Sequence, residues 1–257
     1  MTFLPLPGGD YEGVVEESSI HFCNGCIYTK EDVMFIGHFA VALGAKKAAP
    51  KVSLGTLIMA AQFVDLLWPI FLLLGIEHVR INPGDTAYTP LDFYDYPVSH
   101  SLLTGIGWAI VFGAVYYAVR RSARNAWILA ACVLSHWLLD LIVHRPDLPI
   151  VPGVKTYVGL GLWNSIPATI IVEGALFVTG IVLYLRSTTA VDRVGKYSFW
   201  SFIIFLVLVA AGNIAGGPPP NVMALAVVAM AVWLLVLWAY WIDRHRQPKA
   251  DLQNPSK

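Results

Sequence analysis

His136, Asp140 and His144 follow one another at four-residue steps within Ser135-His136-Trp137-Leu138-Leu139-Asp140-Leu141-Ile142-Val143-His144. On an α-helix that spacing places all three on one face. Ser165, Thr169 and Glu173 repeat the pattern, His100 and Thr104 are four apart, and Gln62 and Asp65 are three apart. Imidazole and carboxylate together are the ligand set of Zn, Mn or Fe. A His-x-x-x-Asp-x-x-x-His helix can offer two or three of its side chains to one ion. The same groups could carry protons or cations, as in pumps and transporters, or form a hydrogen-bond network that holds helices in register. Spacing alone leaves these three readings open.

The composition says what must position these groups. Of 257 residues, 57% are hydrophobic and 13% are charged, with 17 Lys plus Arg balancing 17 Asp plus Glu. That excludes a disordered chain, which needs low hydrophobicity and high net charge. It excludes a nucleic-acid binder, whose footprint is a surplus of positive charge. Cys23, Cys26 and Cys132 are too few for a disulfide scaffold. A bilayer crossing needs about 20 apolar residues, and six stretches qualify: 53–76, 98–119, 125–144, 164–185, 197–216 and 221–242. None shows the alternation of a β-barrel strand. The expected fold is an all-α polytopic membrane protein of about six transmembrane helices, with membrane lipids as its surroundings.

Basic residues set the expected orientation. Lys46, Lys47 and Lys51, then Arg120, Arg121 and Arg124, then Arg186, Arg193 and Lys196, then Arg244, Arg246, Lys249 and Lys257 fall on one side. The other side holds Arg80, Arg145 and Lys155. The positive-inside rule then puts both termini in the cytoplasm of a multi-pass inner (plasma) membrane protein, with loops 77–97 and 145–163 outside. Trp68, Trp108, Trp127, Trp163, Trp200 and Trp241 lie toward span ends, as in interfacial belts.

The first 33 residues differ: six acids, one Lys and no periodicity. They lack the basic start and apolar centre of a signal peptide. They read as a disordered extension, with Met34 as the true start, and their His21, Cys23 and Cys26 set as chance spacing. The segment 34–49 is too short to cross and reads as a half-inserted or interfacial helix. Residues 34–244 form the membrane domain and 245–257 a flexible tail.

The six stretches contain three formally charged residues, Asp65, Asp140 and Glu173. Each costs about 2.5–3.5 kcal/mol near the bilayer centre even on a lenient insertion scale, so each should face a bundle interior. At about 1.5 Å per residue, His100, His144, Asp140, His136, Glu173 and Asp65 all lie in the outer half of the bundle or at its midplane. Four polar stripes at matching depth should face one another in one outward-opening cavity. Spans five and six carry no charge and read as lipid-facing walls.

The order of these residues resembles the membrane-bound metal-dependent hydrolase family of bacterial inner membranes. That family opens with a His and continues with Pro-Asp-x-Asp, His-Arg-x-x-Thr-His-Ser and Ser-His-x-x-x-Asp motifs. Here Gly37-His38-Phe39, Gln62-Phe63-Val64-Asp65, Tyr96-Pro97-Val98-Ser99-His100-Ser101 and Ser135-His136-Trp137-Leu138-Leu139-Asp140 stand in that order, over about residues 34–145. Phe63 replaces the first Asp of the second motif, and the first His of the third is absent. The resemblance implies hydrolysis with a divalent ion, Zn first, then Mn or Fe, held by His38, Asp65, His100, His136 and Asp140 or a subset. His144 and Glu173 are further candidates from position alone: His144 as a ligand, and Glu173 or Asp65 as general base. A site within the bilayer implies a lipid-like or envelope substrate.

Outside the spans, Glu77, His78, Asp85, Asp92 and Asp95 read as a solvated loop or as a lid carrying extra ligands. Arg145 reads as a snorkelling interfacial side chain or a headgroup ligand.

Overall fold

The computed structural model describes residues 36–249. The expectations for residues 1–33, including the start at Met34 and the His21, Cys23 and Cys26 set, lie outside the described residues.

Helix α1 (Ile36–Ala45) is followed by α2 (Leu54–Ala61) and α3 (Phe63–Leu73). A hairpin of β1 (His78–Ile81) and β2 (Leu91–Asp95) leads to a single turn, α4 (Pro97–His100). Then come α5 (Leu102–Arg120), α6 (Ala123–Val143), a small antiparallel pair β3 (Leu148–Pro149) and β4 (Tyr157–Val158), and α7 (Ile166–Ser187). Strand β5 (Thr188–Ala190), α8 (Arg193–Ala215), α9 (Val222–Ala229), α10 (Val232–Arg244) and β6 (Arg246–Pro248) complete the chain. Five helical segments are long and apolar enough to cross a membrane: α5, α6, α7, α8 and the run from Val222 to Arg244. The pair α2 and α3 is a sixth if it counts as one span; it is bent by 58° between Ala61 and Phe63. The architecture is all-α and polytopic, with five to six helical segments able to cross a membrane.

Among the described residues, five side-chain caps start helices where the sequence supplies Ser, Asp or Asn. Ser53 accepts from Thr56 N, Ser101 from Thr104 N, Ser165 from Ala168 N, Asp192 from Gly195 N and Asn221 from Ala224 N. Each holds an amide that the first helical turn would leave unpaired.

Helix α1, 10 residues long, is inserted in the bundle rather than lying on its surface. It packs inside the bundle against α7, α2 and α6, and Gly37, His38, Phe39, Ala40, Ala42 and Leu43 are buried. Small residues make that close approach, as expected where helices pack without water to drive them together. A Cβ on Gly180 of α7 would sit 2.5 Å from the Ala40 carbonyl oxygen. The main apolar core lies around this helix: Phe39, Leu43, Leu57, Phe199, Phe202 and Leu206 are fully buried.

The two ends of the bundle differ. At the basic end, Lys46 is buried, donating to the Val52 carbonyl at 2.7 Å and to Asp243 Oδ1 at 2.9 Å. Residues 246–248 are not free tail: β6 pairs with β5, and the buried Arg246 guanidinium donates to Gly195 O and Thr188 Oγ1. At the other end, β1–β2 and the segment 145–164 form a second core with Trp68, Phe93, Leu148 and Trp163. Trp68 and Trp163 are therefore core residues of this cap, whereas Trp127, Trp200 and Trp241 are exposed.

The cap is tied by one cation. Arg145 meets Asp85 at 2.9 Å, Asp92 at 2.6 Å and Asp147 at 3.0 Å. Three carboxylates already hold it, so it neither snorkels nor waits for a headgroup. Glu77, Asp85 and Asp92 likewise leave the solvated-loop reading: Glu77 is buried, and the other two face Arg145. His78 and Asp95 do pair at the exposed surface.

Candidate metal centre

The bend between α2 and α3 positions the first half of the site. At the bend the Ala61 carbonyl accepts from His136 Nδ1 at 2.8 Å. A carbonyl only accepts, so His136 holds a proton on Nδ1 and turns its Nε2 to the interior. One turn beyond the bend, Asp65 Oδ1 faces that nitrogen at 3.4 Å. Asp140, four residues along α6 from His136, places Oδ2 at 3.4 Å from the same nitrogen.

His100 comes in from α4. Its Nε2 lies 3.3 Å from Asp65 Oδ1 and 3.9 Å from Asp140 Oδ2. Its Nδ1 is 2.6 Å from Ser99 Oγ, and Ser99 Oγ donates to Glu77 Oε2 at 2.6 Å. Because that hydroxyl spends its proton on the carboxylate, it accepts from His100 Nδ1–H. His100 therefore also turns its Nε2, not its Nδ1, toward the aspartates.

His38 arrives on α1. Its Nε2 is 3.2 Å from Asp140 Oδ1, and its ring stacks on His136 with centroids 3.7 Å apart. Two three-residue sets result, His38, His136 and Asp140, and Asp65, His100 and His136, each with ligand atoms within 4.8 Å of one another. They share His136. His38, His100, His136 and Asp140 are buried, and Asp65 keeps 25% of its side chain exposed.

These residues could hold a metal ion, and their geometry fits one. A tetrahedral ion with bonds of about 2.0–2.1 Å keeps its ligand atoms about 3.3 Å apart. The nitrogen–oxygen separations of 3.2, 3.3, 3.4 and 3.4 Å lie near that edge, and the His100–Asp140 separation of 3.9 Å is longer. They are long for charge-assisted hydrogen bonds, which run at about 2.7–2.9 Å. Asp140 Oδ2 is buried and accepts no hydrogen bond among the described residues.

Five of the candidate ligands thus converge: His38, Asp65, His100, His136 and Asp140. His144 does not join them. Helix α6 ends at Val143, and His144 is its C-cap with an extended backbone; Pro146, two residues on, has no N–H with which to continue the helix. Its Nδ1 turns to Asp147 Oδ1 at 2.9 Å and Tyr96 Oη at 3.3 Å, and its ring packs on Trp163. Tyr96, near the place of the absent His, is no substitute ligand. Burial, reinforced by the charge of Asp147, pushes its phenol well above the ordinary range, so it stays a donor. Glu173 is also outside both sets. It lies against the first residues of α1, beside Gly37, where a carboxylate complements the positive end of a helix. It shares with His38 a crevice of about 20 Å³, room for roughly one water.

Sequence reasoning missed Glu77 and Ser99 as partners of His100. It also missed the Ala61 carbonyl, since no sequence signal marks a backbone oxygen freed by a bend. Comparison with protein-family models, with curated proteins and with solved structures gives no match for this chain.

Proposed function

We propose that this chain is an inner-membrane, metal-dependent hydrolase acting on a lipid-like or envelope substrate, with Zn as the ion and Mn or Fe as alternatives. One observation carries the proposal: two three-residue sets, His38, His136 and Asp140, and Asp65, His100 and His136, share His136 and bring their ligand atoms within 4.8 Å of one another. Two carboxylates balance one dication. A divalent ion held there lowers the pKa of a water toward 7 and polarises a phosphoryl or carbonyl oxygen. Ala61 and the Ser99–Glu77 pair orient the two imidazoles, and Asp140 closes the buried side. Asp65 is the most exposed of the five, with 25% of its side chain accessible. It is therefore the residue past which substrate arrives, and the carboxylate placed to take a proton from the attacking water. The segregation of basic residues at one end of the bundle supports cytoplasmic termini.

The bend at Gln62 supports a second reading, a proton- or cation-coupled transporter, because broken helices carry ion sites in many transporters. Detergent-solubilised protein assayed on phosphoester and carboxylester lipid reporters separates the two. Hydrolysis that a chelator abolishes, zinc restores and Asp140→Asn removes supports the hydrolase. Absence of turnover on both reporters, with proton-coupled zinc uptake into proteoliposomes, supports the transporter.

A further inference from the structure

We infer that Glu77 is a positioning residue for the metal centre, acting through Ser99 to fix which nitrogen of His100 is free to bind the ion. The inference rests on the metal reading above. Its basis is a closed set of hydrogen bonds in a buried corner. Pro97 opens α4 and has no N–H. The next two amides, Val98 N and Ser99 N, both donate to Glu77 Oε1 at 2.7 Å. The other carboxylate oxygen, Oε2, takes the Ser99 hydroxyl at 2.6 Å. Glu77 and Ser99 are both buried, so water does not compete for these bonds.

Three donors on one side chain leave Glu77 acting purely as an acceptor. That direction propagates: Ser99 donates to Glu77, accepts from His100 Nδ1–H, and leaves His100 Nε2 as the nitrogen that faces Asp65 at 3.3 Å. A carboxylate behind an imidazole is the arrangement that fixes the tautomer and raises the basicity of a metal-bound histidine, and loss of such a partner costs about 10–100-fold in affinity. Here a hydroxyl is interposed, and the polarity of the chain is the same.

Glu77→Gln tests this without changing size. Gln can accept both amides through its oxygen while its NH₂ donates to Ser99 Oγ. Ser99 then donates to His100 Nδ1, and the ring proton moves to Nε2, where it blocks coordination. Nitrogen NMR of ¹⁵N-histidine-labelled, metal-free protein reads the tautomer, with His100→Gln assigning the signal. The wild type is expected to show Nδ1–H at His100 and Glu77→Gln to show Nε2–H. Zinc affinity by chelator competition is expected to fall about 10–100-fold. Ser99→Ala leaves Glu77 on both amides and is expected to weaken zinc similarly, with Ser99→Thr restoring it. An unchanged tautomer in Glu77→Gln, or wild-type zinc affinity in Ser99→Ala, overturns the inference. A wild type that binds no zinc overturns the metal reading itself and this inference with it, and is told apart because the failure precedes any substitution.

Discussion

The imidazoles of His38 and His136 lie face to face, their centroids 3.7 Å apart and their planes 6° from parallel. Two rings stacked so closely do not share the bundle interior as two cations, because like charges at that distance repel strongly where water is excluded. Both instead point a nitrogen at Asp140, His38 toward Oδ1 and His136 toward Oδ2. His38→Phe keeps a ring in the stack and deletes one ligand. It is expected to fold and to bind zinc at least about 10-fold more weakly, each 1.4 kcal/mol of lost ligation being tenfold. Chelator competition checks it, and wild-type affinity would remove His38 from the ligand set.

The position of His38 depends on how closely α1 meets α7. A methyl group on Gly180 would press on the Ala40 carbonyl. Gly180→Ala is expected to cost about 1–3 kcal/mol, the range for overpacking, and to lower bound zinc although it touches no ligand. Thermal unfolding in detergent and metal content together check this. A destabilised protein with full zinc would uncouple the helix contact from the site.

At the other end of α1, Lys46 binds Asp243 of α10 from a buried position. Removing one partner of a fully buried pair costs about 3–5 kcal/mol. Asp243 keeps 20% of its side chain exposed, so Lys46→Met is expected to cost about 2–3 kcal/mol, with Lys46→Met/Asp243→Leu recovering part of it. A double-mutant cycle on unfolding midpoints measures the coupling. Additive losses would make the pair incidental.

Topology is open to labelling. Val154 and Val191 are both exposed, one in each end of the bundle. In a cysteine-free background, Val154→Cys is expected to react with an impermeant maleimide in intact cells, and Val191→Cys only after permeabilisation. The reverse pattern would invert the orientation drawn from the basic residues.

The helical frame and the ligands were legible because both obey periodicity. Apolar length gave six spans, and the four-residue step gave His136 and Asp140 on one face. The same rule failed for His144, because it assumes that the helix continues, and Pro146 ends it first. Glu77 was hidden for a different reason. It sits just after a span, among acids that a hairpin later folds against Arg145, and no local pattern distinguishes the one that turns inward. The bend at Gln62 carries neither Gly nor Pro; Pro69 lies seven residues further on. Its cause is tertiary, with α2 packed on α10 and α3 on α9.

The central claim is that His136 joins two groups of ligands around a metal ion. Elemental analysis of the purified wild type beside His136→Ala, with both confirmed as folded by circular dichroism, tests it directly. The account expects stoichiometric divalent metal in the wild type and little in the variant. Equal metal in both, or none in the folded wild type, would contradict it.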